Sequence, residues 1–224
     1  MMKRTKDRPL PDARISHIEA ILFIVIALTA GCYILFKQFN FLSASLALLS
    51  YALHTFAYTP LKKVSAVAVL VGAIPGSLPC LIGWAAGTNH IWSLAGWTLF
   101  LLQFFWQFPH FWAIAWVAHR DYSSVGFKLL PAEEGPTKFT ALQTVLYSLL
   151  LVPVTLAPYY TGICSYNDIA GLISVGLVIL ANAFMIMRCM VLYKKMDVGS
   201  ARKVMFGSYM YLPVVMLAWL LSKI

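Results

Sequence analysis

Seven long apolar runs, parted by short polar connections, constrain this chain more than any other feature. They extend roughly from Ile18 to Phe36, Phe41 to Tyr58, Ala66 to Ala86, Ile91 to Ala118, Phe139 to Tyr160, Asp168 to Tyr193 and Val204 to Ser222. A helix needs about 20 apolar residues to cross a ~30 Å hydrocarbon layer, and each run approaches or exceeds that length. A membrane barrel would instead show alternating segments of about 10 residues, and none is visible. Hydrophobic residues make up 61% of the 224 and charged residues 11%, too little polar surface to cover a soluble domain. The expectation is an all-α, polytopic transmembrane helix bundle of about seven spans. It is one membrane-embedded domain over residues 1–224, with a basic segment at 1–17 and the bundle at 18–222.

The placement of the net charge of +9 argues for topology rather than for nucleic acid. Lys3, Arg4, Lys6, Arg8 and Arg14 precede the first run, Lys62 and Lys63 follow the second, and Arg120, Lys128 and Lys138 follow the fourth. Lys194, Lys195, Arg202 and Lys203 follow the sixth, whereas Lys37 and Lys223 fall on the other side and Arg188 lies inside the sixth run, where it reads as snorkelling. Basic residues in short loops mark the cytoplasmic side. The N-terminus is therefore expected in the cytoplasm of a cell with a multi-pass protein in its inner (plasma) membrane, or in the matrix for a mitochondrial inner membrane. Cys32, Cys80, Cys164 and Cys189 form no Cys-x-x-Cys pair and read as packing residues.

Chemistry gathers on the fourth run. At 100° per residue, Gln103, Gln107, His110, Ile114, Val117 and Asp121 share one helical face. Polar groups on such a stripe are costly against lipid and are expected to face the bundle interior. Asp121 is the only acid between Glu19 and Glu133, and it lies where the apolar run ends, beside Arg120 and Tyr122. The third run carries Gly72, Pro75, Gly76, Pro79 and Gly83, a density that suits a cavity wall or close packing. Arg4, Lys6 and Arg8, with Lys62, Lys63, Arg120 and Lys128, put cations on the same side of the membrane. Cations and a carboxylate above an apolar cavity suit a ligand with a phosphate head and a hydrocarbon tail, with Mg²⁺ as the expected bridge. One aspartate alone makes a poor metal site.

Several segments taken together resemble the haem O synthase (protoheme IX farnesyltransferase) branch of the UbiA-type intramembrane prenyltransferases. They are Met2 to Leu10, Tyr58-Thr59-Pro60-Leu61-Lys62-Lys63, Gly72 to Trp84, Trp106-Gln107-Phe108-Pro109-His110, and Arg120-Asp121-Tyr122 on through Leu130-Pro131. The resemblance implies farnesyl transfer from farnesyl diphosphate to a vinyl group of haem B, making haem O for terminal oxidases. It implies Asp121 as catalytic residue and metal ligand for Mg²⁺, and Arg4, Lys6, Arg8 and Lys63 as diphosphate contacts, with Arg120 and Lys128 beside them. Gln103, Gln107, His110 and Tyr122 would line the substrate cavity. Partners implied are the lipid bilayer, haem A synthase and oxidase assembly factors.

Two departures stand against that pattern. The family has nine helices, with an Asn-x-x-x-Asp-x-x-x-Asp motif just before the segment in which this chain begins, so the chain reads as lacking the first two helices and that motif. Cys80 stands where a second proline is common. Three other readings stay open: a UbiA-type enzyme acting on a quinone or chlorophyll precursor, a haem-binding or transport membrane protein, and a catalytically inactive fragment.

Overall fold

The computed structural model describes residues 5–132 and 135–222; Arg4, one of the cations singled out above, lies outside them. Every regular element among the described residues is helical. In chain order they are α1 (His17–Gln38), α2 (Phe41–Leu61), α3 (Ala68–Thr88), α4 (Leu94–Val117), the short α5 (His119–Ser123), α6 (Lys138–Tyr160), α7 (Ile169–Lys195) and α8 (Val198–Leu221).

Local chemistry fixes most of the helix starts. Ser16 and Glu19 form the capping box that their spacing suggests: the Glu19 N–H donates to Ser16 Oγ at 3.2 Å, and the Ser16 N–H donates to Glu19 Oε2 at 2.7 Å. Asn40, Thr137, Asp168 and Asp197 cap α2, α6, α7 and α8 through their side-chain oxygens. Asn40 also donates to the Ala85 carbonyl at 2.6 Å, tying the start of α2 to the end of α3.

Six of the seven long helices are long and apolar enough to cross a membrane. The exception is α4, which at 24 residues has the length, but Gln103, Gln107, Pro109 and His110 dilute its apolar run. The sequence expectation of seven apolar spans is therefore six plus one polar-striped helix. That helix can carry polar groups because it is central: α3, α6 and α8 all pack on it. The α7–α8 hairpin is the most closely packed pair, α2 lies on α3, and α1 lies at the edge against α2 with no buried residue. Its apolar residues are the exposed ones a lipid-facing helix would show.

The loops separate into two ends. At one, the Lys128 N–H donates to the Lys62 carbonyl at 2.8 Å, and Lys138 Nζ lies 6.0 Å from the centre of the Tyr193 ring. At the other, the Ser165 N–H donates to the Ser222 carbonyl at 2.7 Å. The lysines that follow α2, α5 and α7 thus lie at one end of the bundle, as the charge pattern requires. Asn182 joins three helices inside it: its Nδ2 donates to Thr155 Oγ1 at 2.8 Å, and the Tyr211 hydroxyl donates to Asn182 Oδ1 at 2.9 Å.

Candidate functional site

A cavity of about 420 Å³ opens between α2, α3 and α4. Its wall is made by His54 and Tyr58 of α2, Val69, Gly72 and Gly76 of α3, and Gln107, Phe111, Ile114 and Ala115 of α4, with Tyr122 and Leu129 at the end nearest the lysines. A second hollow of about 170 Å³, bounded by residues from Ala115 to Ala132, adjoins it and shares Ala115, Tyr122 and Leu129.

Helix α3 is the wall that its glycines and prolines suggest, and the reason is steric. A Cβ on Gly76 would lie 2.1 Å from Gln107 Oε1, and one on Gly72 would lie 2.6 Å from Cδ2 of Tyr58. The missing side chains are where the cavity's two polar walls fit. Gln107, itself buried, donates through Nε2 to the Ala73 carbonyl at 3.1 Å, Ser77 Oγ at 2.8 Å and the Gln103 carbonyl at 3.1 Å. Pro79 has no N–H to give the Pro75 carbonyl. Ser50 of α2 donates to that carbonyl instead, at 3.0 Å, which also fastens α2 to α3.

Sequence reasoning missed that the turn of α2 facing the cavity is a π-helix, Leu53–Tyr58. Its lower end is set by Thr59, whose N–H and hydroxyl both donate to the His54 carbonyl, the hydroxyl at 2.9 Å. Pro60 follows and cannot donate into the turn. Thr-Pro at the foot of a membrane helix was the signal available for this widened turn. Such turns recur at functional sites because they redirect side chains. Here His54 and Tyr58 both face the cavity, their ring centres 5.0 Å apart.

Lys62 lies against aromatic rings at one end of the cavity. Its Nζ lies 5.6 Å from the centre of the Tyr58 ring and 4.9 Å from that of Phe127, and the Tyr122 and Phe127 rings lie 6.1 Å apart. Burial, and then the neighbouring Lys63, hold the Lys62 ammonium below the usual lysine pKa. Lys63, Arg120 and Lys128 are exposed at this same end.

The other residues singled out in the sequence divide. Tyr122 and Gln107 line the cavity. Gln103 offers its carbonyl to Gln107 and is not in the wall. His110 is not in the wall either: it turns to α8, where Nδ1 lies 2.7 Å from Ser208 Oγ, the ring is stacked on Trp106 with centres 4.6 Å apart, and the Tyr209 ring makes a T-shaped contact with centres 4.8 Å apart. The reason is geometric. Residues 107 and 110 differ by 60° around a helix that has neighbours on several sides, so one side chain meets α3 and the other α8.

Asp121 departs from the expected stripe as well. Helix α4 ends at Val117, Ala118 takes a non-helical conformation (φ −100°, ψ 17°), and Asp121 lies on α5, half-buried and outside the cavity lining. Lys6 and Arg8 are exposed, and the hydrogen bonds of their segment run within it, among them Arg14 to the Asp7 carbonyl at 2.5 Å. Among the described residues, no hydrogen bond or ion pair joins them to the cavity rim.

The fold and sequence have known relatives. The model of the UbiA prenyltransferase family matches residues 1–220. A protoheme IX farnesyltransferase of Cytophaga hutchinsonii is 41% identical over 227 residues, covering 100% of this chain and 76% of that protein. One of Flavobacterium psychrophilum is 40% identical over 225 residues, covering 100% and 73%. A solved structure described as a digeranylgeranylglyceryl phosphate synthase in membranes superposes with a TM-score of 0.77 over 98% of this chain and 75% of that one, at 20% identity, a likeness of fold. A cavity walled by α2, α3 and α4 beneath a lysine-rich end, on this fold and with these relatives, places the chain in the UbiA prenyltransferase family, on its protoheme IX farnesyltransferase branch.

Proposed function

We propose that this prenyltransferase joins a farnesyl group, delivered as farnesyl diphosphate, to a vinyl group of haem B to make haem O for terminal oxidases. It would do so in the inner (plasma) membrane with its N-terminus cytoplasmic, or in the inner mitochondrial membrane of a eukaryote. The observation that carries the reading is the cavity itself, an apolar trough between α2, α3 and α4 that runs up to a cationic end.

In the reaction, the allylic C–O bond breaks and its electron pair leaves with the diphosphate. The allylic cation is attacked by the vinyl carbon, and water adds to the cation formed beside the macrocycle with release of a proton. Lys62, Lys63, Arg120 and Lys128 are assigned to the departing diphosphate, whose growing charge they stabilise where water is scarce. Tyr58, Phe111 and Tyr122 line the cavity with aromatic rings, which are suited to shielding an allylic cation from bulk water. Gln107 holds the α3 wall in place.

Mg²⁺ is the ion the family implies. The described donors do not make a site for it: among the described residues no group of three His, Cys, Asp or Glu comes together. No step is routed through the ion. Asp121 remains the assigned catalytic carboxylate, and its test is Asp121→Asn in membranes supplied with farnesyl diphosphate and haem B. Loss of the farnesylated, hydrated haem product with an unchanged melting temperature is expected; full turnover would remove Asp121 from the mechanism. Absence of that product with the unmodified chain, or prenylation of a quinone precursor in its place, would overturn the functional reading.

A further inference from the structure

Two buried polar atoms among the described side chains make no hydrogen bond, Trp84 Nε1 and Arg188 Nε. The second is the more demanding, because a guanidinium within an apolar helix is tolerated only with a partner. Arg188 lies on α7, seven residues before Lys195, roughly 10 Å short of the helix end at ~1.5 Å per residue. What it has is a ring: its Cζ lies 4.9 Å from the centre of Phe184. That contact satisfies the positive charge in part and leaves the N–H fork unused.

Helices α7 and α8 pack closely beside Arg188. Gly207 of α8 faces Phe184 and the Arg188 stem, and a Cβ there would lie 3.0 Å from Phe184 Cε1 and 3.7 Å from Arg188 Cγ. One turn to either side on α8 stand Lys203 and Met210, both exposed. The α7–α8 seam at this point thus carries apolar groups toward the mid-membrane and two cations toward the lysine-rich end. None of its residues lines the cavity between α2, α3 and α4.

We propose that the α7–α8 seam, at Arg188 and Lys203, binds the phosphodiester of an anionic membrane lipid from the leaflet at the lysine-rich end. The phosphate oxygens take the Arg188 fork and Lys203, and an acyl chain runs past Phe184 and Met210. A planar fork matches phosphate oxygens bidentately, and basic pockets between membrane helices on the positive side suit anionic headgroups. The lipid-facing position favours a lipid phosphate over a soluble one.

The test is native mass spectrometry of the full 224-residue chain released from nanodiscs containing equal parts of phosphatidylglycerol and phosphatidylcholine. The unmodified chain is expected to retain phosphatidylglycerol over phosphatidylcholine by about tenfold, the scale of one or two charge-assisted hydrogen bonds. Arg188→Gln should bring the two lipids level, and Lys203→Gln, at an exposed position safe for folding, should lower the preference severalfold. Equal retention by the unmodified chain overturns the proposal, as does a preference that survives both substitutions. Displacement of the lipid by inorganic phosphate would put a soluble anion at this seam. Displacement by haemin but not by its dimethyl ester would put a haem carboxylate there. Either result also overturns it.

Discussion

Substituting Gly76 by alanine separates stability from function. The new methyl would lie 2.1 Å from Oε1 and 2.9 Å from Cδ of Gln107, so the amide must retreat by roughly 1 Å or more to reach ordinary contact distance. Retreat breaks the two bonds that Nε2 makes to α3, to the Ala73 carbonyl and Ser77 Oγ. Side-chain bonds between membrane helices average about 0.6 kcal/mol each, so about 1 kcal/mol is lost. Alanine in place of glycine inside a helix returns about 0.8–1.0 kcal/mol. The two nearly cancel, and the melting temperature should barely move. Activity has no such compensation, because the displaced amide enters the cavity and a ~1 Å misplacement near reacting groups costs about 100-fold. The assay is turnover of farnesyl diphosphate and haem B in reconstituted membranes, with thermal melting of the same preparation. Gly83→Ala on the same helix is the control: a Cβ there meets nothing within 4 Å, so activity should hold while stability rises slightly. Gly76→Ala turnover within about threefold of the unmodified chain, far short of the ~100-fold loss expected, would refute the reasoning.

Gly72→Ala should act through Tyr58, since its Cβ would stand 2.6 Å from the ring; turnover is expected to fall at least about tenfold at an unchanged melting temperature, read in the same assay. The depressed pKa of Lys62 means that its ammonium loses the proton at a lower pH than an ordinary lysine, so diphosphate binding should weaken early on the alkaline side. A rise in KM for farnesyl diphosphate with pH, abolished in Lys62→Arg because guanidinium stays charged, would show this; an identical pH profile for both would refute it. Asn182→Leu removes the acceptor of the Tyr211 hydroxyl and the donor to Thr155, and should destabilise the bundle by about 1–3 kcal/mol in denaturation experiments while sparing turnover below the melting range.

The helices, the Ser16–Glu19 box at the start of the first and the end of the bundle at which the lysines gather were legible in the sequence, because each rests on local chemistry. Ser16 and Glu19 need only each other, and Lys62 and Lys128 need only their place after a span. The glycines of α3 were legible as a wall for the same kind of reason: residues that lack side chains leave room for something. What they leave room for, Tyr58 and Gln107, was not legible, since a Cβ-to-neighbour distance depends on a second helix. The π turn of α2 was hidden too, because Thr59-Pro60 marks where a turn can widen without requiring it.

The stripe on α4 shows most clearly where periodicity stops informing. Gln103, Gln107, His110 and Asp121 share a face in projection, and a helix at the edge of a bundle would present them all to one cavity. At the centre of the bundle, the same face is divided between neighbours. Gln107 fastens α3 and lines the cavity, whereas His110 meets Ser208 and Tyr209 of α8. A break at Ala118 then takes Asp121 off the stripe altogether. A polar stripe on a membrane helix therefore states that partners exist, and its division among them follows from how many helices surround it. The same reasoning extends to Arg188, whose guanidinium has a ring beneath it and no hydrogen-bonding side chain from any helix packed against it. A charged group left so by its own protein calls for a partner from the membrane.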